Sequence, residues 1–233
     1  MKKIFGLLVL ALTLTGLSSC DYDGDDDSYV THYVTFELNQ GSKYLVPVGS
    51  TYKDPGFKAT EGTEDVSSKV TVSGNDQVDA NSIGVYNVTY SAVNKDGYSS
   101  SATRQVVVYD PSITTDISGD YVTGDGSNRT ASSIESIVGY KIKITKIADG
   151  LFYISDLFGG YYDQYRKYGA NYAMTAYLYL HADNTISLIS SHINGWGDSV
   201  DDLTDCKYDP QTGKITYSTG YASAMTFNIV LEK

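Results

Sequence analysis

Ile83-Gly84-Val85-Tyr86-Asn87-Val88-Thr89-Tyr90, followed by the turn Asn94-Lys95-Asp96-Gly97 and the run Ala102 to Tyr109, reads as two strands separated by a turn. In an extended chain alternate side chains share a face, so Tyr86, Val88 and Tyr90 point the same way. Working outward, β-branched and aromatic residues recur in short runs at Val30 to Leu38, Tyr44 to Val48, Phe57 to Thr60 and Val70 to Ser73. Turn chemistry separates them: Asn39-Gln40-Gly41, Asp54-Pro55-Gly56 and Gly74-Asn75-Asp76. Pro55 presets φ and Gly56 tolerates a positive one, so that turn is specified locally. Six or seven short strands at this spacing predict a β-sandwich over residues 30–110.

Composition agrees with an all-β chain. Tyr and Gly each number 22 among the 233 residues, and the strong helix formers are scarce beyond the first residues. The balance of 17 Lys+Arg against 28 Asp+Glu gives a net charge of −11, which argues against nucleic acid as a partner, since phosphate binding needs clustered cations.

The N-terminus carries a targeting signal. Met1-Lys2-Lys3 and the apolar run Ile4 to Leu17 form a charged and then a hydrophobic region, too short to anchor by spanning a bilayer. Residues 1–19 are therefore expected to be a signal peptide. The run ends Leu17-Ser18-Ser19-Cys20, which resembles the lipobox of bacterial lipoproteins and implies lipidation of Cys20. Membrane attachment through that anchor follows, and Cys206 is left without an intrachain partner. Residues 20–29 form a lipidated acidic tether holding Asp21, Asp23, Asp25, Asp26 and Asp27, similar to the export signal of Bacteroidetes surface lipoproteins. Export to the outer face of the outer membrane is the expectation. As a calcium loop the same run fails, because its sixth and twelfth positions are Asp26 and His32 rather than Gly and Glu.

The phrases Val48-Gly49-Ser50-Thr51-Tyr52-Lys53-Asp54-Pro55-Gly56 and Gly84-Val85-Tyr86-Asn87-Val88-Thr89-Tyr90 resemble the immunoglobulin-like domain repeated in bacterial surface proteins. The resemblance implies an immunoglobulin-like β-sandwich serving as a spacer, with no catalytic residues to transfer. Asp110-Pro111-Ser112 ends it, because proline cannot donate to a ladder; few contacts are expected to cross this point.

Residues 113–233 repeat the strand pattern. Ile147-Ala148-Asp149-Gly150-Leu151 and His181-Ala182-Asp183-Asn184-Thr185 spell hairpins, and Asp209-Pro210-Gln211-Thr212-Gly213-Lys214 spells a third turn. A β-meander this long is expected to close as a lipocalin-resembling barrel or to fold over as a sandwich. The order of parts resembles two-domain lipoproteins of Bacteroidetes outer membranes found among carbohydrate-uptake proteins.

Two segments are candidate binding sites. Tyr161, Tyr165, Tyr168 and Tyr172 fall at the spacing of one helical stripe, with Tyr162, Asp163, Gln164, Arg166 and Asn171 among them. Flat rings offer stacking surface for sugars, and the polar neighbours offer hydrogen bonds. The other reading is that these rings fill a wall or cover a barrel mouth. Ser190 to Ser199 holds His192, Asn194 and the single Trp196 between Gly195 and Gly197. A Trp flanked by glycines suits exposure on a loop, the alternative being a plug at one barrel end. Asp198, Asp201, Asp202 and Asp205 follow closely, but such runs are usually just solvated. Ser191 or Ser199 with His192 and Asp198 would make a triad only on paper, since no nucleophile elbow surrounds either serine. No enzyme activity, cofactor or metal is expected. The reading is a non-catalytic surface lipoprotein that captures a glycan for an outer-membrane uptake system. The alternatives are an assembly or adhesion protein that binds another protein, and a barrel holding an apolar ligand.

Protease added to whole cells should degrade the protein if the acidic run is an export signal, and replacing Asp25, Asp26 and Asp27 by Asn should protect it. Immunoblots of treated and lysed cells read the difference.

Overall fold

The computed structural model describes residues 30–233, so the signal peptide, Cys20 and the acidic tether lie outside the described residues. Seven strands make up the first part: β1 (Val34–Leu38), β2 (Lys43–Pro47), β3 (Phe57–Glu61), β4 (Glu64–Asp65), β5 (Thr71–Ser73), β6 (Gly84–Val93) and β7 (Ser99–Tyr109). One sheet has the order β1-β3-β4 and the other β2-β7-β6-β5, with β2 parallel to β7. Val88, Tyr90, Val106 and Val108 fill the space between them with Val46, Phe36, Leu38 and Phe57. This is the immunoglobulin-like sandwich that the alternation of Tyr86, Val88 and Tyr90 predicts.

A charge sits inside that core. Arg104 is fully buried and every N–H of its guanidinium has an acceptor. Nε donates to Gly41 O at 3.2 Å, and the terminal nitrogens donate to Asn39 O at 2.7 Å, Gly56 O at 2.9 Å, Tyr90 Oη at 2.7 Å and the Asp54 carboxylate. Tyr90 in turn donates to Asp54 at 2.8 Å. Burial first, and then this bond, holds the Tyr90 phenol well above its usual range. The Asp54-Pro55-Gly56 turn is thus fixed to the last two strands by one planar, five-donor group.

The second part begins with β8 (Gly119–Thr123), β9 (Asn128–Thr130), β10 (Ile134–Ser136), β11 (Lys141–Ala148) and β12 (Leu151–Ile154). It continues with β13 (Thr175–Leu180), β14 (Ile186–His192), β15 (Thr204–Tyr208), β16 (Ile215–Tyr221) and β17 (Met225–Glu232). The three turns read from sequence join β11 to β12, β13 to β14 and β15 to β16. One ten-stranded sheet results, β10-β9-β17-β8-β11-β12-β13-β14, with β16 and then β15 branching from β17.

The closed barrel expected as one outcome is not seen; the sheet is open. Strands β14 and β15 meet only beside the hairpin, at the bridge Thr185 to Lys207 and the bond from Tyr208 N to Asn184 O. The sheet still curls around one core. Tyr121, Ile142, Phe152, Leu178, Tyr217 and Phe227, from six different strands, belong to a single buried cluster. Side chains fill the interior that a lipocalin leaves for its ligand.

The two parts also share apolar surface, where few contacts were expected. Val107 of β7 is buried with Ala148 and Leu151 of the β11–β12 hairpin, and Val85, Tyr109, Tyr177 and Ile189 pack around them. Val85, Val107 and Tyr109 are the alternate residues of β6 and β7, on the face opposite the sandwich core. Tyr179 Oη adds a bond to Asp110 at 2.9 Å.

Removing one member of a buried, hydrogen-bonded ion pair strands the other in a water-free site and costs about 3–5 kcal/mol. Asp54→Ala should therefore lower unfolding stability by that amount in urea titrations, against less than about 0.5 kcal/mol for an exposed control such as Glu37→Ala.

Candidate functional site

Residues 155–174 connect β12 to β13 and contain the Tyr-rich segment. Asp156 organises it. Its side chain is buried and accepts N–H groups from Phe158 at 2.8 Å, Gly160 at 3.1 Å and, across the whole loop, Met174 at 3.1 Å. Leu157 N donates to Met174 O at 2.7 Å beside it. Gly160 then turns with φ 81°; a Cβ there would lie 2.9 Å from that of Tyr140, so both the backbone angle and the space require glycine.

From Gly160 the chain winds into a wide turn, Tyr161–Tyr165, with Tyr165 N bonded to Gly160 O and Arg166 N to Tyr161 O. These are π-type spacings rather than α. A separate short turn, Ala170–Tyr172, follows Gly169. The expected single helical stripe of tyrosines is therefore replaced by two groups. Tyr161, 1% exposed, packs with Tyr165 at 5.5 Å, and Tyr140 meets Tyr165 at 6.1 Å. Tyr162 is also buried, and Tyr168 stacks on it at 6.1 Å with 22° between the rings.

The second group joins the Trp loop. Ile193 N donates to Asp198 O and Gly197 N to Ile193 O, closing the loop at its neck. The Ser191 hydroxyl bonds both the N–H and the C=O of Val200, and Tyr221 Oη donates to Asp198 at 2.6 Å. Burial and then that bond push the Tyr221 phenol well up from its usual value. Gly195 N donates to Asn171 O at 2.7 Å, and the face of Gly195 lies flat against the Tyr172 ring, where a Cβ would come within 2.5 Å. Trp196 stands edge-on to Tyr162 at 4.7 Å and to Tyr172 at 4.9 Å.

Tyr168, Tyr172 and Trp196 line an open recess of about 320 Å³, at the small end of the roughly 300–1,000 Å³ spanned by ligand pockets. Trp196 keeps 42% of its surface exposed and Tyr168 53%. Trp196 is thus a rim residue rather than a buried plug. A larger groove of about 810 Å³ lies between residues 199–204 and 220–226, walled by Asp201, Asp202, Thr204 and Tyr221. It lacks facing rings.

The other sequence candidates divide. Asn171 and Asn194 are exposed beside the rim. His192 is exposed at the end of β14, its backbone carbonyl accepting Thr175 Oγ1 at 3.0 Å. Arg166 lies over Tyr161 and Tyr165, at 5.5 and 6.0 Å from the ring centroids. Ser191, His192 and Asp198 do not assemble as a triad, since Ser191 is bonded to backbone and Asp198 to Tyr221. Among the described residues no three acidic, His or Cys groups converge as metal ligands. Asp156 and the ring-supporting role of Gly195 escaped the sequence reading. The pair Gly159-Gly160 just before Tyr161 was the available signal.

Among family models, one described as a bacterial surface protein, Ig-like domain, matches residues 36–108. A second, described as a C-terminal domain, matches residues 110–233. The crystal structure of the lipoprotein BT2262 from Bacteroides thetaiotaomicron is similar over 86% of this chain and 100% of its own, at 39% identity and a TM-score of 0.50. A structure of CBM51-2 in complex with GlcNAc and INT domains from Clostridium perfringens ZmpB aligns with 86% of this chain and 44% of its own, at 13% identity; its TM-score of 0.29 carries no argument. No functionally curated protein matches the chain.

Burial pushes the Asp156 carboxyl up to about 7, against the pull of its three backbone N–H bonds. Between the unfolded value of about 4 and about 7 the native state holds a proton that the unfolded chain has released, so this group's contribution to stability falls as pH rises through that window. An amide in its place carries no such proton. The stability of the native protein minus that of Asp156→Asn should therefore shrink between pH 4 and 7, measured by urea unfolding at each pH.

Proposed function

The chain belongs to the family of the Bacteroides thetaiotaomicron lipoprotein BT2262, and from that premise we propose a non-catalytic cell-surface lipoprotein that captures a glycan on the aromatic rim of its C-terminal domain. The observation that carries this reading is the convergence of Tyr168, Tyr172 and Trp196 on one recess, with Tyr162 packed beneath them. Sugar rings present flat patches of C–H, and exposed aromatic faces receive them at little conformational cost because each ring has only two torsions. Here even those torsions are restrained, Trp196 by two edge contacts and Tyr172 by the glycine against it. Asn171 and Asn194, exposed beside the rim, stand near enough to supply hydrogen bonds to hydroxyls.

In this reading Cys20 carries the lipid, residues 30–110 hold the rim away from the outer membrane, and the rim faces the cell exterior. A captured glycan is passed to uptake proteins of the same membrane. The shared apolar cluster of Val107 and Leu151 supports a fixed rather than swinging presentation.

One substitution in two assays tests the site. Trp196→Ala should weaken binding on a glycan array by about 30-fold or more, the size of a hot-spot loss near 2 kcal/mol. Stability should fall by no more than about 1–2 kcal/mol, because the ring is half exposed and loses only a few edge contacts. Unchanged binding to every glycan that the native chain captures would refute the rim as the site.

A further inference from the structure

Three arginines occur in the chain. Arg104 is fully used inside the sandwich. The other two come from distant points of the sequence, Arg129 in β9 and Arg166 at the end of the wide turn, yet both guanidiniums lie against one ring. Their central carbons are 5.7 and 5.5 Å from the centroid of Tyr161. Tyr161 is itself fixed, donating its hydroxyl to Glu135 at 2.6 Å.

What distinguishes these two groups from Arg104 is that no protein acceptor takes up their donors. Among the described residues neither is in an ion pair and neither side chain donates a hydrogen bond, and Nε of Arg129 is buried with no partner. A guanidinium over an aromatic face gains a modest attraction from the ring without using its N–H groups, so those of Arg166, which is exposed, stay open to solvent or to a ligand. Two guanidiniums thus stand at one ring, with Glu135 opposite Arg129 in the β9–β10 pair and bonded to Tyr161; that carboxylate offsets part of the charge and leaves Arg166 as the cation most open to an oxyanion. The chain's overall charge opposes an anion only weakly at that range, because at physiological salt charges beyond about 8 Å are screened.

The site adjoins the rim. Tyr161 meets Tyr162 at 4.8 Å, and Tyr162 meets Trp196 at 4.7 Å. Arg166-Lys167-Tyr168 runs directly from the cation to the recess, turning at Lys167 with φ 60°. A ligand stacked on Tyr168 and Trp196 thus has Arg166 within reach of its next residue.

We infer that the ligand is an anionic glycan, one whose carboxylate or sulfate is held by Arg166 and Arg129 while a neighbouring ring stacks on Trp196. This rests on the glycan reading of the rim and narrows it to a charged class. Planar guanidiniums accept either oxyanion through paired N–H bonds.

The test compares three oligosaccharides of equal length on the full chain in detergent by calorimetry: an oligogalacturonide for carboxylate, a heparin fragment for sulfate and a malto-oligosaccharide as the neutral probe. At least one charged probe should bind about 10-fold or more tighter than the neutral one. That advantage should vanish as salt shortens the Debye length from about 10 Å to about 3 Å. Arg166→Gln should bring the charged probes down to the affinity of the neutral one, and Arg129→Gln should do the same, with circular dichroism checking that each variant is folded. Equal affinity for all three probes, or a charged preference that survives Arg166→Gln, overturns the inference. If equal affinities are lost together in Trp196→Ala, the glycan reading stands and only the charge fails. Silence of all three probes overturns both.

Discussion

A single buried carboxylate sets the geometry from which the rim is built. Asp156 accepts N–H groups from both ends of the Tyr-rich connection, Phe158 and Gly160 at its start and Met174 at its close. Closing a loop of this length is paid for mainly in chain entropy, and here the closure is made inside the core, where each bond to the carboxylate is strong and an unmet donor would be costly. With both ends held, the intervening residues have few arrangements left. The glycine at 160 then directs Tyr161 and Tyr162 inward, and Tyr168 lands back on Tyr162.

The sandwich uses the opposite sign of charge for a similar purpose. Arg104 gathers three backbone carbonyls, a phenol and a carboxylate around itself, drawing the turn at Asp54 to Gly56 onto β6 and β7. The other face of those same strands packs against the β11–β12 hairpin. Position in β6 and β7 therefore alternates between two duties: Val88, Tyr90, Val106 and Val108 line the sandwich core, and Val85 and Val107 join the two parts of the molecule.

Much of this was legible. The turns at Asp54-Pro55-Gly56, Asp149-Gly150 and Asp183-Asn184 are local, and Gly56, Gly150 and Asn184 do adopt positive φ; the alternation of Tyr86, Val88 and Tyr90 is equally local. Trp196 between glycines left exposure and a plug equally open from sequence, and its 42% exposed surface matches the first. The tyrosine stripe does not form, because the helical period was carried across Lys167 and Gly169, where the backbone angles break it. The short strands β9, β10 and β15 gave no periodic signal. The pairing of Arg129 with Arg166 around one ring depends on β9 meeting β17 and β17 meeting the core, a register that no short window of sequence carries.

The place of β17 in the sheet bears on how such a molecule reaches its destination. Residues 225–232 do not sit at an edge; they pair with β16 on one side and with β8 and β9 on the other, and Ser127 bonds both the N–H and the C=O of Val230. The sandwich has the same habit, since β2 waits for β7, with Lys43 opposite Gln105. A polypeptide emerging in order can complete the small β1-β3-β4 sheet early, but the larger sandwich sheet waits for Tyr109 and the C-terminal sheet for Glu232, and such long-range pairing is slow. That delay would keep the C-terminal half extended until its last strand is made, the state that a narrow channel requires of any chain threaded through it.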